Sequence, residues 1–222
     1  MQKTILEFLG TFLLAFVVTI GVGGGISSNL APFAAFAAYA AAIYFGGHIS
    51  GGLFNPAVSL SMFMRKLLTP QGLGSIFFAQ ILAGVVAGMV AKSMPALHFP
   101  KEAFSPDMRS AVMVEFIFTF FLCFTVLQVS TAKATKGNSF YGVAIALVVL
   151  AGALSVGSIS GGVFNPAVGG ALLTTGYFDA TTFFVYAAAQ LAAAVIAGGL
   201  FKFTNPDEFS ATGACENSAP QG

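Results

Sequence analysis

Two copies of one nine-residue phrase carry the polar groups best suited to chemistry in this chain. Residues 50–58 read SGGLFNPAV and residues 160–168 read SGGVFNPAV. Glycine favours irregular backbone, and an Asn-Pro step favours the start of a helix because asparagine caps helices and proline is tolerated at the first helical position. Each copy therefore offers asparagine amides and free backbone carbonyls. With no nucleophile–base pair or metal-binding cluster in the sequence, these groups predict reversible hydrogen bonding to polar molecules rather than catalysis.

The rest of the chain is too apolar for a soluble domain. Of its 222 residues, 57% are hydrophobic and 8% are charged, whereas soluble domains carry about 25% charged residues. This composition predicts an integral membrane protein, and a net charge of +1 excludes a nucleic-acid partner. Irregular backbone at membrane depth persists only where it is buried in protein or lines a wet cavity. Two such breaks in corresponding positions indicate a transport pathway.

The apolar stretches of the sequence predict the helices that hold these phrases in place, since a bilayer span needs about 20 apolar residues. We predict six spans, at about 4–26, 32–47, 73–90, 110–129, 140–157 and 181–203. Short helices at about 55–64 and 165–175 follow the two phrases and cannot cross. The first span follows Met1 with no cleavage site, so we expect it to be retained.

An internal repeat organises these elements into one domain over residues 1–222. Glu7 and Thr11 in the first span match Glu115 and Thr119 in the fourth. The repeats cover about 4–92 and 109–203, and a polar tail over 204–222 is predicted to be disordered. Three spans per repeat is an odd number, so the second repeat enters the membrane from the opposite side, as an inverted 3+3 repeat.

The basic residues predict that both termini are cytoplasmic. In that orientation six basic residues lie inside: Lys3, Arg65, Lys66, Lys133, Lys136 and Lys202. Three lie outside: Lys92, Lys101 and Arg109. The excess inside is the pattern of the positive-inside rule. Of the two cysteines, Cys123 is expected to pack in an apolar run and Cys215 to be a free thiol in the tail.

The chain resembles the aquaporin and aquaglyceroporin family over about residues 4–203. Two Asn-Pro-Ala triplets carry the resemblance: Asn55, Pro56, Ala57, Asn165, Pro166 and Ala167. The glutamates of spans one and four and the glutamines of spans three and six add to it: Glu7, Glu115, Gln80 and Gln190. It implies an all-α membrane protein with six transmembrane helices and two re-entrant half-helices. It also implies a homotetrameric channel in the lipid bilayer for water and small neutral solutes, without a cofactor or metal.

The resemblance assigns roles to these residues. Asn55 and Asn165 would each offer an amide N–H at the pore centre, where two half-helix N-termini, each with about half a positive charge, repel cations. A water held by both amides must turn its hydrogens outward, which breaks a proton wire. Backbone carbonyls over about 47–53 and 157–163 would form two acceptor ladders, among them those of Gly51, Gly52, Leu53, Gly161 and Val163. The glutamates and glutamines would support the re-entrant loops.

Simpler alternatives stay open for these residues. Asn55 could be a plain helix cap, and Glu7 or Glu115 could be a proton-relay acid, since a charged group within a span is costly unless it is paired or functional. His48 is interpreted either as a histidine bonded to loop backbone or as a pH-sensitive gate, because histidine titrates near neutral pH.

The chain departs from the family pattern at the narrow filter. Where an arginine normally follows the second triplet, this chain has Val168. Ungapped counting places the other filter positions at Ala35, Ala153 and Gly162. Because all four are small or apolar, we predict a wide filter that passes water, with glycerol, urea, hydrogen peroxide or ammonia as candidate solutes. Alternatively, nearby phenylalanines refill the gap and form a narrow apolar gate: Phe33, Phe36, Phe54 or Phe164.

Two other functions remain open from the sequence alone. A secondary transporter would need ionisable groups at a site near the midplane, and Glu7 and Glu115 are the only acids within the spans. A closed structural tetramer, or a subunit of a larger membrane complex, would fit an apolar filter. Saturable, ion-coupled flux would distinguish the transporter, and absence of flux would indicate the structural protein.

Overall fold

Residues 1–209 form a bundle of eight α-helices. The computed structural model describes residues 1–209, so Cys215 and the tail from residue 210 lie outside the described residues. The helices in chain order are α1 (Gln2–Val22), α2 (Ala31–Ser50), α3 (Pro56–Met64), α4 (Pro70–Lys92), α5 (Met108–Thr131), α6 (Tyr141–Ser160), α7 (Pro166–Thr175) and α8 (Ala180–Thr204). Short 3₁₀ turns occupy Lys133–Thr135 and Pro206–Phe209. Within residues 1–209 there is no β-strand.

Six of these helices, all except α3 and α7, are long and apolar enough to cross a membrane. They correspond one for one to the predicted spans, and the two short helices to the predicted half-helices. The first span ends at Val22 rather than at residue 26, because three glycines follow and Gly24 adopts a φ of +81°. The α2 and α6 helices run on to Ser50 and Ser160, where left-handed glycines at 51 and 161 end them.

The two halves of the chain interlock through glycines. Helix α4 packs on α7 and helix α8 packs on α3, so the last span of each repeat carries the half-helix of the other. A Cβ on Gly84 would collide with the carbonyl oxygen of Ala167, and one on Gly88 would lie 2.6 Å from that of Ala171. Gly84 and Gly88 therefore face the half-helix of the same molecule.

Replacing Gly84 with alanine is expected to destabilise the fold. The added methyl group meets backbone, which cannot rotate away, and overpacking of this kind costs about 1–3 kcal/mol. Thermal unfolding of detergent-solubilised protein, followed by size-exclusion chromatography, should show a lower midpoint. Gly199→Ala is the matched control, because Gly199 is also helical and has open space where a Cβ would lie. Equal midpoints for the two variants would contradict the packing described.

The segment after α8 folds back onto the bundle. Arg65, at the end of α3, forms a 2.6 Å salt bridge with Glu208, and its guanidinium lies 4.8 Å from the centre of the Phe209 ring. The other carboxylate oxygen of Glu208 accepts a 2.6 Å hydrogen bond from the backbone N–H of Lys133. The prediction of disorder from the start of the tail is therefore wrong for residues 206–209. A buried ion pair between segments 143 residues apart orders them.

Candidate functional site

The two half-helices begin with the same asparagine cap. Asn55 precedes α3 and its side-chain oxygen accepts a 2.9 Å hydrogen bond from the N–H of Ala57. Asn165 precedes α7 and accepts an equivalent 2.9 Å bond from the N–H of Ala167. Both asparagines are buried, with 0% and 2% of their surface exposed. The plain capping role is therefore present, and it uses only the oxygen of each amide.

The amide nitrogens join the two half-helices tip to tip. The Nδ2 of Asn55 donates to the carbonyl oxygen of Phe164, and the Nδ2 of Asn165 donates to that of Phe54, each at 2.9 Å. These reciprocal bonds hold the N-termini of α3 and α7 against each other. Because a side-chain amide nitrogen carries two hydrogens, each asparagine keeps a second N–H beyond the one used here. Both asparagines are among the residues that line a cavity.

The re-entrant segments have the same unusual backbone in both repeats. Three residues of each have positive φ: Gly51 (+99°), Gly52 (+65°), Phe54 (+48°), Gly161 (+90°), Gly162 (+64°) and Phe164 (+49°). For phenylalanine this conformation costs about 1–3 kcal/mol and must be imposed by the surroundings. The non-helical stretches are 51–55 and 161–165, and they begin later than the predicted ladders because the carbonyls of residues 47 and 157 are taken up in capping α2 and α6.

A buried carboxylate imposes this backbone in the first repeat. Glu7 of α1 is fully buried and accepts hydrogen bonds from the N–H of Leu53 at 3.0 Å and of Phe54 at 2.7 Å. It also accepts from the Ser50 hydroxyl at 2.6 Å and from the side-chain nitrogen of Gln80 at 2.8 Å. Four donors thus surround one acid, which offsets its burial and fixes the re-entrant loop.

The second repeat reproduces this arrangement with its own residues. Glu115 of α5 is fully buried and accepts from the N–H of Val163 at 2.9 Å and of Phe164 at 2.7 Å. The Ser160 hydroxyl and the side-chain nitrogen of Gln190 donate to it at 2.7 and 2.8 Å. Within residues 1–209, neither glutamate is among the residues that line the two cavities described next. A proton relay through these acids has no support in this placement.

A cavity of about 520 Å³, here called the Val168 cavity, brings together the four predicted filter positions. Its lining includes Ala35, Ala153, Gly162 and Val168, and it ends at the paired asparagines. Val168 is only 2% exposed, and a Cβ on Gly162 would lie 3.2 Å from the Cα of Ala153. The four filter positions that were counted from the sequence therefore surround one cavity. The remaining wall is mostly aliphatic, with Leu14, Val18 and Val149 among its residues.

A second cavity of about 480 Å³, here called the His48 cavity, opens at the other end of the bundle. Lys3, His48 and Lys136 line its mouth, and Leu53 lies at its inner end. The His48 side chain is exposed, and no hydrogen bond of its ring is found within the described part of the chain. The interpretation of His48 as bonded to loop backbone is therefore wrong, and the ring is free to face the cavity.

A family model described as "Major intrinsic protein" matches residues 1–155 and 102–221, which together cover almost the whole chain. The chain belongs to the major intrinsic protein family. It is accordingly a multi-pass integral membrane protein of a channel family, the aquaporins and aquaglyceroporins, through which water and small solutes pass passively. The two overlapping matches agree with the internal repeat.

Individual relatives of this major intrinsic protein come from plants and bacteria. The chain is 32% identical to "Aquaporin NIP1-1" of Zea mays over 218 residues, which are 92% of this chain and 76% of that protein. It is 32% identical to "Glycerol uptake facilitator protein-like 6" of Lactiplantibacillus plantarum over 75% of this chain and 81% of that one. Among solved structures, the aquaglyceroporin from Plasmodium falciparum has the same fold, with a TM-score of 0.75 at 22% identity, covering 92% and 97% of the two chains.

The phenylalanines that could have refilled the filter of this family member lie mostly elsewhere. The Phe54 ring packs against glycines of α1 and α2, and the Phe164 ring packs against Phe118, with ring centres 5.3 Å apart. Of the four candidates, only Phe164 is among the described residues that line the Val168 cavity. Phe33 is 50% exposed and, like Phe36, lines neither cavity among the described residues.

One residue of the pathway was missed from the sequence. From the sequence alone Tyr39 is interpreted as an interface or packing residue, yet it lines the Val168 cavity and its hydroxyl donates to the carbonyl oxygen of Leu53 at 3.3 Å. Its position contained a usable signal. Tyr39 follows Ala35 by four residues on α2, and residues four apart lie on the same face of a helix. Once Ala35 is placed in the filter, Tyr39 must face the same space one turn deeper.

Proposed function

We propose that this protein is a passive channel for water and small neutral solutes with an unusually wide, apolar filter. Glycerol, urea, hydrogen peroxide and ammonia are the proposed solutes besides water. One observation carries the proposal. Val168 lines the cavity directly after the second Asn-Pro-Ala triplet, together with Ala35, Ala153 and Gly162, and no charged side chain among residues 1–209 lines that cavity.

The walls of the Val168 cavity suit a molecule that is polar on one side and apolar on the other. Gly161, Gly162 and Val163 belong to the re-entrant segment and bring its backbone to the cavity, while Leu14 and Val149 contribute aliphatic surface. Hydroxyl or amide groups of a solute can bond to backbone carbonyls, and its carbon atoms can contact the aliphatic wall. An ion would gain little here, because no opposite charge replaces its hydration.

Exclusion of cations would rest on the centre of the pathway. The α3 and α7 N-termini meet there, each with about half a positive charge, and Asn55 and Asn165 add donors without acceptors turned toward a cation. In this proposal the two half-helix N-termini repel cations without the help of a filter arginine. Proton and cation leakage is then the property most sensitive to changes at the tips.

The proposed orientation places both termini in the cytoplasm. Lys3 and Lys136 line the same cavity, and Arg65 and Lys133 are linked through Glu208 at that end of the bundle. Clustering of basic residues at one end is what the positive-inside rule describes for the cytoplasmic side. A homotetramer is proposed as well. Large apolar side chains on the bundle surface, such as Phe78 at 70% and Phe184 at 66% exposure, can face lipid or neighbouring copies.

Stopped-flow light scattering on reconstituted vesicles tests the function. When sucrose is added outside, vesicles that contain the protein should shrink faster than empty ones, because water leaves through the channel. In a glycerol gradient they should shrink and then reswell as glycerol enters. Reswelling no faster than that of empty vesicles would reject the wide filter. Absence of both effects would instead favour the closed structural tetramer, for which the Tyr39 contact with Leu53 is the one supporting observation.

Flux of neutral solutes is expected to be independent of pH between about 5.5 and about 8, the range in which histidine side chains change charge. The mouth of the His48 cavity already contains Lys3 and Lys136, and a neutral solute gains or loses little from a further charge there. Glycerol entry measured at both pH values checks this. A rate that changes with pH in the wild type but not in His48→Gln would overturn the prediction and make His48 the gate.

A further inference from the structure

One hydrogen bond joins the walls of the two cavities. The Val168 cavity and the His48 cavity have no lining residue in common within residues 1–209. Tyr39 lines the first and Leu53 lines the second, and the Tyr39 hydroxyl donates to the Leu53 carbonyl oxygen across the boundary. Both side chains are only 1% exposed. A phenol ring bonded to the re-entrant backbone therefore lies between a wall of one cavity and a wall of the other.

The two repeats differ at this position. An offset of 110 residues relates Asn55 to Asn165, and the same offset relates Tyr39 to Val149. Val149 also lines the Val168 cavity, so both positions face the pathway. One wall thus carries a small aliphatic side chain and the other a large aromatic ring. Nothing in the inverted fold requires the ring, because the second repeat is built without one.

The hydrogen bond from Tyr39 also occupies the carbonyl oxygen of Leu53, which a solute in the pathway could otherwise bind. The carbonyl oxygen of Leu53 belongs to the predicted acceptor ladder of the first repeat, next to Phe54, whose carbonyl is bound by Asn165. At 3.3 Å the bond is long for an O–H···O contact, which is usually about 2.7–2.8 Å, so it orients the ring without holding it tightly.

We propose that Tyr39, and not the four filter positions, sets the largest solute that the channel passes. The inference rests on the proposed function and adds a second selectivity position to it. The small residues at the filter admit solutes to the Val168 cavity, and the Tyr39 ring then limits what reaches the His48 cavity. The hydroxyl positions the ring by its bond to the Leu53 carbonyl, and the ring supplies the steric limit.

A matched control exists in the second repeat. Tyr186 of α8 is 2% exposed, and its hydroxyl donates to the carbonyl oxygen of Ser160 at 3.0 Å, beside the other re-entrant segment. Within the described residues it lines neither cavity. Tyr186→Phe therefore removes a buried phenol hydroxyl bonded to the backbone of a re-entrant loop without changing the proposed pathway.

The test compares size limits. Wild type, Tyr39→Val, Tyr39→Leu, Tyr39→Phe and Tyr186→Phe are reconstituted in vesicles, and reswelling is measured in glycerol and in linear polyols of four, five and six carbons. Tyr39→Val, which installs the residue of the other repeat, should pass polyols that the wild type excludes and should raise glycerol permeability about tenfold, the scale on which pockets discriminate by size. Tyr39→Phe keeps the ring and should keep the size limit, and Tyr186→Phe should match the wild type.

The outcomes separate this inference from the function itself. If the wild type passes glycerol, and Tyr39→Val and Tyr39→Leu have the same solute size limit as the wild type, the inference is overturned and the channel function stands. If only Tyr39→Val and Tyr39→Leu pass glycerol, the inference holds and the wild type is closed at this ring. If none of the variants passes any solute, both are overturned. Tyr39→Leu is included because its longer side chain fills more of the space left by the ring.

Discussion

Replacing Val168 with arginine is expected to lower glycerol permeability about tenfold or more while water permeation stays measurable. The change puts a long cationic side chain into a cavity that no charged side chain lines among the described residues. The guanidinium can donate to carbonyls of the neighbouring re-entrant segment and would then lie across the space between Ala35 and Ala153. Glycerol and water permeabilities of the same vesicle preparation give the measurement, and their ratio removes differences in reconstitution.

A variant that adds bulk without charge separates the steric effect of the arginine side chain from the effect of its positive charge. Val168→Leu enlarges the side chain by one methylene and leaves the cavity uncharged. If size alone matters, it should reduce glycerol permeability by part of the arginine effect. If the cation matters more, Val168→Leu should stay close to the wild type. Glycerol permeability unchanged in Val168→Arg would show that position 168 does not limit the pathway.

Replacing Glu115 with alanine is expected to remove most folded, conducting protein. The N–H groups of Val163 and Phe164 would lose their acceptor in a fully buried site, and each unsatisfied group costs about 1–3 kcal/mol. Phe164 would also lose what holds it at a φ of +49°. Thermal unfolding in detergent and glycerol flux in vesicles should both report the loss.

Two comparisons make the Glu115 result specific. Glu7→Ala should have a similar effect, because Glu7 accepts the same set of bonds in the first repeat. Glu102→Ala should be neutral, because Glu102 is exposed in the loop before α5. A Glu115 variant as stable and conducting as the Glu102 variant would remove the supporting role. A stable variant that lost only proton-coupled uptake would point to a relay instead.

The half-helices and their caps could be predicted because their signals are local. An Asn-Pro step specifies a helix start by its own side chain and ring, and α3 and α7 begin where the two steps lie. The filter positions were counted without gaps from the two triplets, and the four residues found in this way line one cavity. The glutamates stood out because an acid within a span needs partners.

The features that were missed depend on which surface an apolar side chain faces. In a soluble helix, polar and apolar faces differ, but α2 is apolar toward lipid, protein and pathway alike. The composition of α2 alone therefore does not distinguish the cavity from the packed interior at Tyr39, and its spacing from Ala35 becomes informative only once Ala35 is placed in the filter. The turn at 206–209 was missed for another reason. Its order comes from the Arg65–Glu208 ion pair, a contact between distant segments that local composition does not reveal.

The dependence of glycerol entry on glycerol concentration tests the central claim most directly. If two half-helix tips meet in an open path with an uncharged filter, the initial rate in vesicles should rise in proportion to the gradient, without saturation and without need for an ion gradient. It should be equal for inward and outward gradients. A rate that saturates and depends on a proton or sodium gradient, or one that never exceeds that of empty vesicles, would contradict the account.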